Sequence, residues 1–287
     1  MSRVVSPDGR TRVRRLSTWT RLATHLLLAI GALVMIGPFV WSALTSLKTL
    51  GESFQVPPTI FPSDPQWGNY AEVFTKLPFL SFYKNTIIVT AVKVVGVLIT
   101  SSLAGYAFAR IDFPGRNILF ALYLAVLMVP YQIFLLPQFL IMAKLGLVNT
   151  LAALIIPGLF DAFGTFLMRQ FFKGLPRELE DAAKIDGCNH FQIYLRIMLP
   201  LARPGLIALA IFTFLWSWND FLWPLVVITS PERMPLGAGL AFLQGQYLTD
   251  FPLLMAGALL SALPVIAVFV VLQRQFVEGV ASTGIKG

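Results

Sequence analysis

The feature that most constrains this chain is a series of apolar runs, several longer than the roughly 18 residues that mark a membrane span. Only 13% of its 287 residues are charged, whereas a soluble domain carries about a quarter. A backbone inside lipid must satisfy its own hydrogen bonds, and a helix does so within a single segment. The sequence therefore predicts an all-α, polytopic membrane protein.

Run length and apolar content allow six transmembrane helices to be drawn. They are predicted at Leu22–Leu44, Asn85–Phe108, Ile118–Leu140, Thr150–Met168, Leu206–Thr229 and Phe251–Leu272. The chain is then divided into a basic N-terminal arm (1–21), a membrane domain (22–272) and a C-terminal tail (273–287). The longest loop, 45–84, is rich in proline and aromatic residues, and we expect it to form an ordered cap.

The distribution of Lys and Arg sets the predicted orientation. If the N-terminus lies inside, sixteen of the 22 basic residues fall in inner segments. Lys93 falls within a span, and the outer segments hold Lys48, Lys76, Lys84, Lys144 and Arg233. Cytoplasmic loops carry the excess of basic residues, so both termini are predicted to be cytoplasmic. A basic arm beside a span is typical of contact with anionic membrane lipid, so we expect no nucleic-acid partner.

One inner loop, residues 169–204, is long and charged in an otherwise apolar chain. In "KGLPRELEDAAKIDG", Pro176 suits the first turn of a helix, and carboxylates follow near the positive end of its dipole. Gly187 fits the left-handed position that ends many helices. Asn189 and Gln192 resemble a capping box, which would open a second helix running to about Leu199.

The first of these two helices carries small and acidic residues together. Ala182 and Ala183 would let another surface approach closely, and the carboxylates around them could bond Arg or Lys of a partner. The alternative is a solvated loop that merely connects two spans. That alternative explains neither the length of the segment nor its two sets of capping residues.

The same segment has the spacing of a known motif, formed by Asp181, Ala182, Ala183, Gly187, Ile197, Leu199 and Pro200. This pattern resembles the "EAA" loop of ABC importer permeases, with Asp181 where the family usually has Glu. The stretches "YAFARIDFPGRN", "WSWNDF" and "GIKG" are similar to the carbohydrate-import branch. Within that branch the chain resembles the second permease of maltose- and glycerol-3-phosphate-type pairs.

The resemblance implies a prokaryotic inner-membrane protein with several partners. They are a second, non-identical permease, two cytoplasmic ATPase subunits and an extracytoplasmic sugar-binding protein. The loop would act as a coupling helix on the ATPase, through Glu180, Asp181, Ala182, Ala183, Asp186, Gly187, Ile197, Leu199 and Pro200. The tail would also reach the ATPases, through Thr283, Gly284, Ile285, Lys286 and Gly287. ATP and Mg would bind to the ATPases, and this chain would bind no cofactor.

Sequence patterns for enzymatic chemistry are absent. The chain has no G-x-x-x-x-G-K-S/T phosphate loop, no H-E-x-x-H and no C-x-x-C. His25 and His190 are far apart and make no metal-ligand spacing, and the single cysteine, Cys188, cannot form an internal disulfide. We therefore expect a transport subunit without catalytic residues or a metal.

Polar residues inside spans are costly and indicate functional positions. In the predicted fifth span, the residues that share one helical face at i, i+3, i+4 and i+7 are Trp216, Asn219, Asp220 and Trp223. Aromatic faces beside an amide and a carboxylate suit a hydroxyl-rich ligand. The alternative is that the tryptophans anchor or pack the helix. Asp161 is a further candidate for a translocation path, and we expect it to lie near Lys93 across the bundle.

The second span carries a stripe of small residues, Ser101, Gly105 and Ala109. Such stripes are typical of close helix packing in membranes. We expect another span to approach along this stripe.

Two other classes of function stay open on sequence alone. A secondary transporter could use Asp161 or Asp220 as an ion site, and internal inverted repeats with broken helices would distinguish it. A membrane-embedded enzyme would need a catalytic group that the spans lack. Among importers, amino acids or peptides are the rival cargo, and the sugar itself could be a disaccharide, an oligosaccharide or glycerol phosphate.

Overall fold

The computed structural model describes residues 18–244 and 249–284, with no account of the side chains of Thr18, Arg21 and residues 274–284. The described chain is helical and has one isolated β-bridge, Gln244 to Thr249. Its α-helices are α1 Thr18–Ser46, α2 Leu50–Ser53, α3 Gly68–Lys76, α4 Phe79–Arg110, α5 Arg116–Ala125, α6 Tyr131–Lys144, α7 Leu151–Ile155, α8 Ala162–Gly174, α9 Glu178–Ile185, α10 His190–Ile193, α11 Leu199–Leu201, α12 Arg203–Trp218, α13 Leu222–Val227, α14 Leu236–Leu240 and α15 Phe251–Gly284.

Three helices in the described chain are long and apolar enough to cross a membrane unbroken, at Leu22–Ser46, Phe79–Arg110 and Phe251–Gln273. Three bent pairs qualify as broken spans, at Arg116–Met128 with Tyr131–Lys144, Leu151–Gly158 with Ala162–Gly174, and His190–Leu201 with Arg203–Trp218. Counting each pair as one span gives six, which agrees with the predicted number. The protein is thus a multi-pass helical membrane protein.

The predicted fifth span, Leu206–Thr229, is wrong in its second half. Helix α12 ends at Trp218 and α13 begins only at Leu222. Pro224 supplies the physical reason, because in a continuous helix its ring would clash with the carbonyl of Asp220, four residues earlier. The chain therefore breaks at 219–221, and the apolar run is divided between two helices.

Helix α4 is the centre of the bundle and packs mainly against α8 and α12. The predicted small-residue stripe lies at the contact with α8, with Ser101 fully buried and Ala109 4% exposed. At Gly105, an added Cβ would lie 2.7 Å from Cβ of Met168 and 2.9 Å from the backbone nitrogen of Arg169. The prediction of close helix packing along this stripe is confirmed.

Helices α1 and α15 form the edge of the bundle and pack along each other. The apolar window of α1 has no buried residue, and that of α15 has few. Their exposed leucine, valine and phenylalanine side chains fit a surface that faces lipid or another membrane chain.

The long loop after α1 is ordered by buried polar groups. The Glu52 carboxylate accepts from the backbone nitrogens of Thr49 and Ser63, both at 2.9 Å. It also accepts from the Ser63 hydroxyl, and these hydrogen bonds lower the pKa of Glu52 to about 2. Asn69 donates to the carbonyls of Ser46 at 2.8 Å and Lys48 at 3.1 Å. The loop is thus fixed to the end of α1, as expected of an ordered cap.

Candidate functional site

Helix α9 and its flanking caps form the first candidate site. The helix spans Glu178–Ile185, and Gly187 follows it with a φ of 81°, in the left-handed region. Asn189 and Gln192 form the predicted capping box, with both backbone-to-side-chain hydrogen bonds at 2.9 Å. These caps confirm the prediction of two short helices joined at Gly187.

One face of α9 is exposed and carries part of the predicted coupling set. Asp181, Ala182 and Asp186 are exposed, as is Gly187 just beyond the helix. Ile185 is 87% exposed, an unusual state for a large apolar side chain next to two carboxylates. This residue was not singled out from sequence, although its spacing of three from Ala182 places both near one face.

The other face of α9 is turned into the protein and carries two more residues of the predicted coupling set. Glu180 and Ala183 are each 4% exposed, so their role in coupling stays a prediction and would be exercised from inside the protein. Ala183 packs in a core with Met168, Phe172 and Tyr194. The physical reason is the helical period, which directs adjacent residues such as Glu180 and Asp181 to different faces.

Arg110 holds the buried face of α9 against the ends of two other helices. Its Nε lies 3.2 Å from Oε1 of Glu180, with side chains 3% and 6% exposed. The same guanidinium donates to the carbonyls of Phe172, at 3.0 Å from Nε, and Leu175, at 2.5 Å from Nη2. These carbonyls belong to the C-terminal end of α8, where cations are favoured. Arg110 therefore joins the ends of α4 and α8 to α9.

The second half of the loop is helical through Leu201, by way of a π-helical segment at Tyr194–Met198. Ile197 and Leu199 pack partly buried against the core under α9, whereas Pro200 is exposed. The Tyr194 hydroxyl lies 2.7 Å from that of Ser102 on α4. Ile197 and Leu199 thus support the loop from inside, and their predicted role in ATPase coupling stays a prediction.

The second candidate site is a cavity of about 580 Å³ between α4, the break before α8 and the break after α12. Its lining includes four of the five residues predicted for a translocation path, namely Asp161, Trp216, Asp220 and Trp223. Asn219 is the fifth, and it does not line the cavity. Its side chain turns back to donate to the carbonyl of Leu215 at 2.8 Å, which also accepts from the backbone nitrogen of Asn219 at 3.2 Å.

Lys93 of α4 is the one basic residue of the described lining, and it forms an ion pair with Asp220. Its Nζ lies 3.3 Å from Oδ2 of Asp220. Asp161, which we expected near Lys93, lines the same cavity and caps α8, accepting from the backbone nitrogens of Phe163 at 3.1 Å and Gly164 at 2.9 Å. The break after α12 is what brings Asp220 to Lys93.

The two tryptophans of the lining have different roles. Trp223 is 2% exposed and donates from Nε1 to the carbonyl of Ala153 at 2.9 Å, which is a packing role. Trp216 is 54% exposed and stands edge-on to Phe163, with ring centroids 5.3 Å apart. Only Trp216 presents a free aromatic surface for a ligand.

Other predicted positions lie at the limits of the described chain. Thr283 and Gly284 end α15, and only their backbone is described, while Ile285, Lys286 and Gly287 lie outside the described residues. No group of three or more His, Cys, Asp or Glu residues that could hold a metal occurs in the searched part of the chain.

Comparison with known proteins decides the family. Residues 96–281 match the family described as "Binding-protein-dependent transport system inner membrane component". The chain belongs to this family. The matched region begins within α4 and includes the loop around α9 and, apart from Lys93, the lining of the cavity.

Relatives in this family are permeases of sugar transport systems. The arabinooligosaccharides transport system permease protein AraQ of Halalkalibacterium halodurans is 40% identical over 91% of this chain and 96% of its own length. The diacetylchitobiose uptake system permease protein NgcG of Streptomyces coelicolor is 32% identical over 90% of this chain and 86% of its own.

A solved structure shares the fold at the same coverage. It is a chain of a bacterial ABC transporter involved in the import of the acidic polysaccharide alginate, with 25% identity and a TM-score of 0.79 over 91% of this chain and 99% of that one. Broken helices are therefore compatible with an importer permease, and they do not identify a secondary transporter.

Proposed function

We propose that this chain is one of two non-identical permeases in an ATP-driven importer of a di- or oligosaccharide. Two ATPase subunits bind its inner side, and an extracytoplasmic binding protein delivers the sugar from outside. The sugar class is supported by relatives named for arabinooligosaccharides and diacetylchitobiose. The observation that carries the proposal is α9, a short capped helix with one exposed face and a buried ion pair on the other.

The exposed face of α9 is the contact with the ATPase in this proposal. Asp181 offers a carboxylate for Arg or Lys of the ATPase. Ala182 allows close approach, and Ile185 supplies an apolar side chain for a pocket. In this arrangement α9 faces the cytoplasm, and both chain termini lie on that side.

The buried face of α9 transmits the movement. ATP binding closes the two ATPases, and α9 moves with the subunit on which it is seated. Arg110 joins α9 to the ends of α4 and α8, and these two helices line the cavity that holds Lys93 and Asp161. Movement of α9 therefore reaches the walls of the sugar path without a flexible link. ATP and Mg bind to the ATPase subunits, and this chain supplies no catalytic group.

The proposal is tested by two variants of the exposed face in the intact importer, Asp181→Lys and Ala182→Trp. We expect both variants to reach the membrane in normal amounts and to lower sugar uptake per ATP hydrolysed by at least about tenfold. Asp64→Lys, on the exposed outer loop, is the matched control and should leave this ratio unchanged. Normal coupling in both α9 variants would refute the assignment of α9 to the ATPase.

A further inference from the structure

The charges of the cavity lining bear on which sugars can pass. A solved relative belongs to an importer of an acidic polysaccharide, so the fold alone does not fix the charge of the cargo. In this chain the described lining has three charged side chains, Lys93, Asp161 and Asp220. Their arrangement decides whether a cation is free to bind an anionic sugar.

The single cation is already paired and is held in place. Lys93 and Asp220 approach to 3.3 Å, with side chains 10% and 26% exposed. The aliphatic part of Lys93 lies against Gly158, where an added Cβ would come within 3.0 Å of Cε. Lys93 therefore occupies a tight groove beside Gly158 and is positioned for Asp220.

The remaining charge of the lining is a carboxylate. Asp161 is fixed at the start of α8 by its two backbone hydrogen bonds. With Lys93 and Asp220 paired, the described lining has a formal excess of one negative charge. An anionic sugar entering this cavity would meet repulsion and would find no unpaired cation.

The uncharged groups of the lining suit hydroxyls and sugar faces. Tyr131 and Gln138 line the cavity and carry a hydroxyl and an amide. Both groups can donate and accept hydrogen bonds, as sugar hydroxyls require. Trp216 and Phe160 also line the cavity and are 54% and 72% exposed. Their rings can stack on the C–H faces of a neutral saccharide.

We propose that this cavity selects uncharged saccharides over acidic ones, with the Lys93–Asp220 pair as the charge filter. The inference rests on the proposed function, which makes the cavity part of a sugar path. It deepens that function by excluding glycerol phosphate and uronic-acid saccharides as cargo. Neutral saccharides need no counter-ion, whereas acidic ones would have to displace Asp220 from Lys93.

The test measures binding of two matched probes to the intact importer in nanodiscs, without the binding protein. The probes are galactobiose and digalacturonate, which differ only in oxidation at C6. Quenching of tryptophan fluorescence reports binding, and its loss in Trp216→Phe assigns the signal to the cavity. We expect wild type to bind galactobiose about tenfold more tightly than digalacturonate.

Removing the filter should abolish the preference for galactobiose by strengthening binding of the acidic probe. Asp220→Asn frees Lys93 and should raise the affinity for digalacturonate about tenfold, with little change for galactobiose. The double variant Lys93→Met with Asp220→Asn should lose that gain. Asp112→Asn removes a carboxylate from an exposed ion pair with Arg116 and should change neither affinity. If Asp220→Asn does not assemble, the proposal is judged by the wild-type preference for galactobiose and by the double variant, which should bind digalacturonate no more tightly than wild type does.

Equal affinity of wild type for both probes, tighter binding of digalacturonate, or binding of neither would overturn the charge filter. So would an Asp220→Asn variant with an unchanged ratio of affinities. ATP-dependent uptake of a neutral and acidic saccharide panel by cells, measured in parallel, tests the proposed function separately. Uptake of neither class refutes sugar import, whereas equal uptake of both leaves sugar import intact and refutes only the filter.

Discussion

The buried ion pair beneath α9 makes a sharp prediction about two adjacent carboxylates. Glu180 pairs with Arg110 at 3.2 Å with both side chains almost fully buried. Asp181 lies 3.7 Å from Lys184, with side chains 68% and 48% exposed. Removing one member of a buried pair costs about 3–5 kcal/mol, whereas an exposed pair contributes about 0–1 kcal/mol.

For Glu180→Gln we expect the lower end of this range, about 3 kcal/mol, because Arg110 keeps its hydrogen bonds to the carbonyls of Phe172 and Leu175. A loss of about 3 kcal/mol raises the population of the locally opened state about 100-fold. Hydrogen exchange of the peptide covering 178–188, measured by mass spectrometry on the assembled importer, reports that population. Glu180→Gln should accelerate exchange by about this factor, and Asp181→Asn should change it less than about fivefold.

The comparison fails in two ways if the reasoning is wrong. Equal acceleration in both variants would mean that charge anywhere on α9, rather than the buried pair, stabilises the helix. Unchanged exchange in Glu180→Gln would mean that Arg110 does not hold α9. A second readout, sugar uptake per ATP hydrolysed, should fall in Glu180→Gln as well, because α9 would no longer move with α4 and α8.

Three further predictions follow from the packing and from the loop after α1. Gly105→Ala should destabilise the protein by about 1–3 kcal/mol, seen as earlier thermal unfolding in detergent, whereas Gly31→Ala, with nothing within 4 Å, should not. Trp223→Phe leaves the Ala153 carbonyl unpaired and should cost about 1–3 kcal/mol, while Trp216→Phe should weaken sugar binding without earlier unfolding. The pKa of Glu52 is lowered from 4.5 to about 2. Its contribution to stability is therefore complete above pH 4.5 and is lost as pH falls toward 2. Proteolysis of loop 50–67 across this range should become faster as pH falls, and Glu52→Gln should remove the pH dependence.

The parts of the fold that sequence predicts well are those fixed by local chemistry. The number of spans follows from the thickness of the hydrocarbon layer, and the stripe of Ser101, Gly105 and Ala109 has a direct steric meaning. The caps at Gly187 and Asn189 depend on residues within one turn of the chain. Each of these could be predicted without knowing what packs against it.

The parts that sequence did not predict depend on contacts between distant segments. Glu180 and Asp181 look alike in sequence, and only Arg110, 70 positions earlier, distinguishes the buried carboxylate from the exposed one. The break after Trp218 has a local signal in Pro224, which disfavours a helix through Asp220. That signal is not decisive, because three other helices continue through an internal proline. A continuous fifth span places Asn219 on the face of Asp220, whereas the broken span leaves it outside the cavity lining.

The most direct test of the account is a photocrosslink from the exposed face of α9 in the intact importer. Benzoylphenylalanine is placed at Ile185, 87% exposed on α9, and as a control at Phe61, 73% exposed on the loop after α1. The account predicts an adduct between position 185 and the ATPase subunit, identified by mass spectrometry, and none from position 61. An ATPase adduct from position 61, or none from position 185 in an active importer, would contradict it.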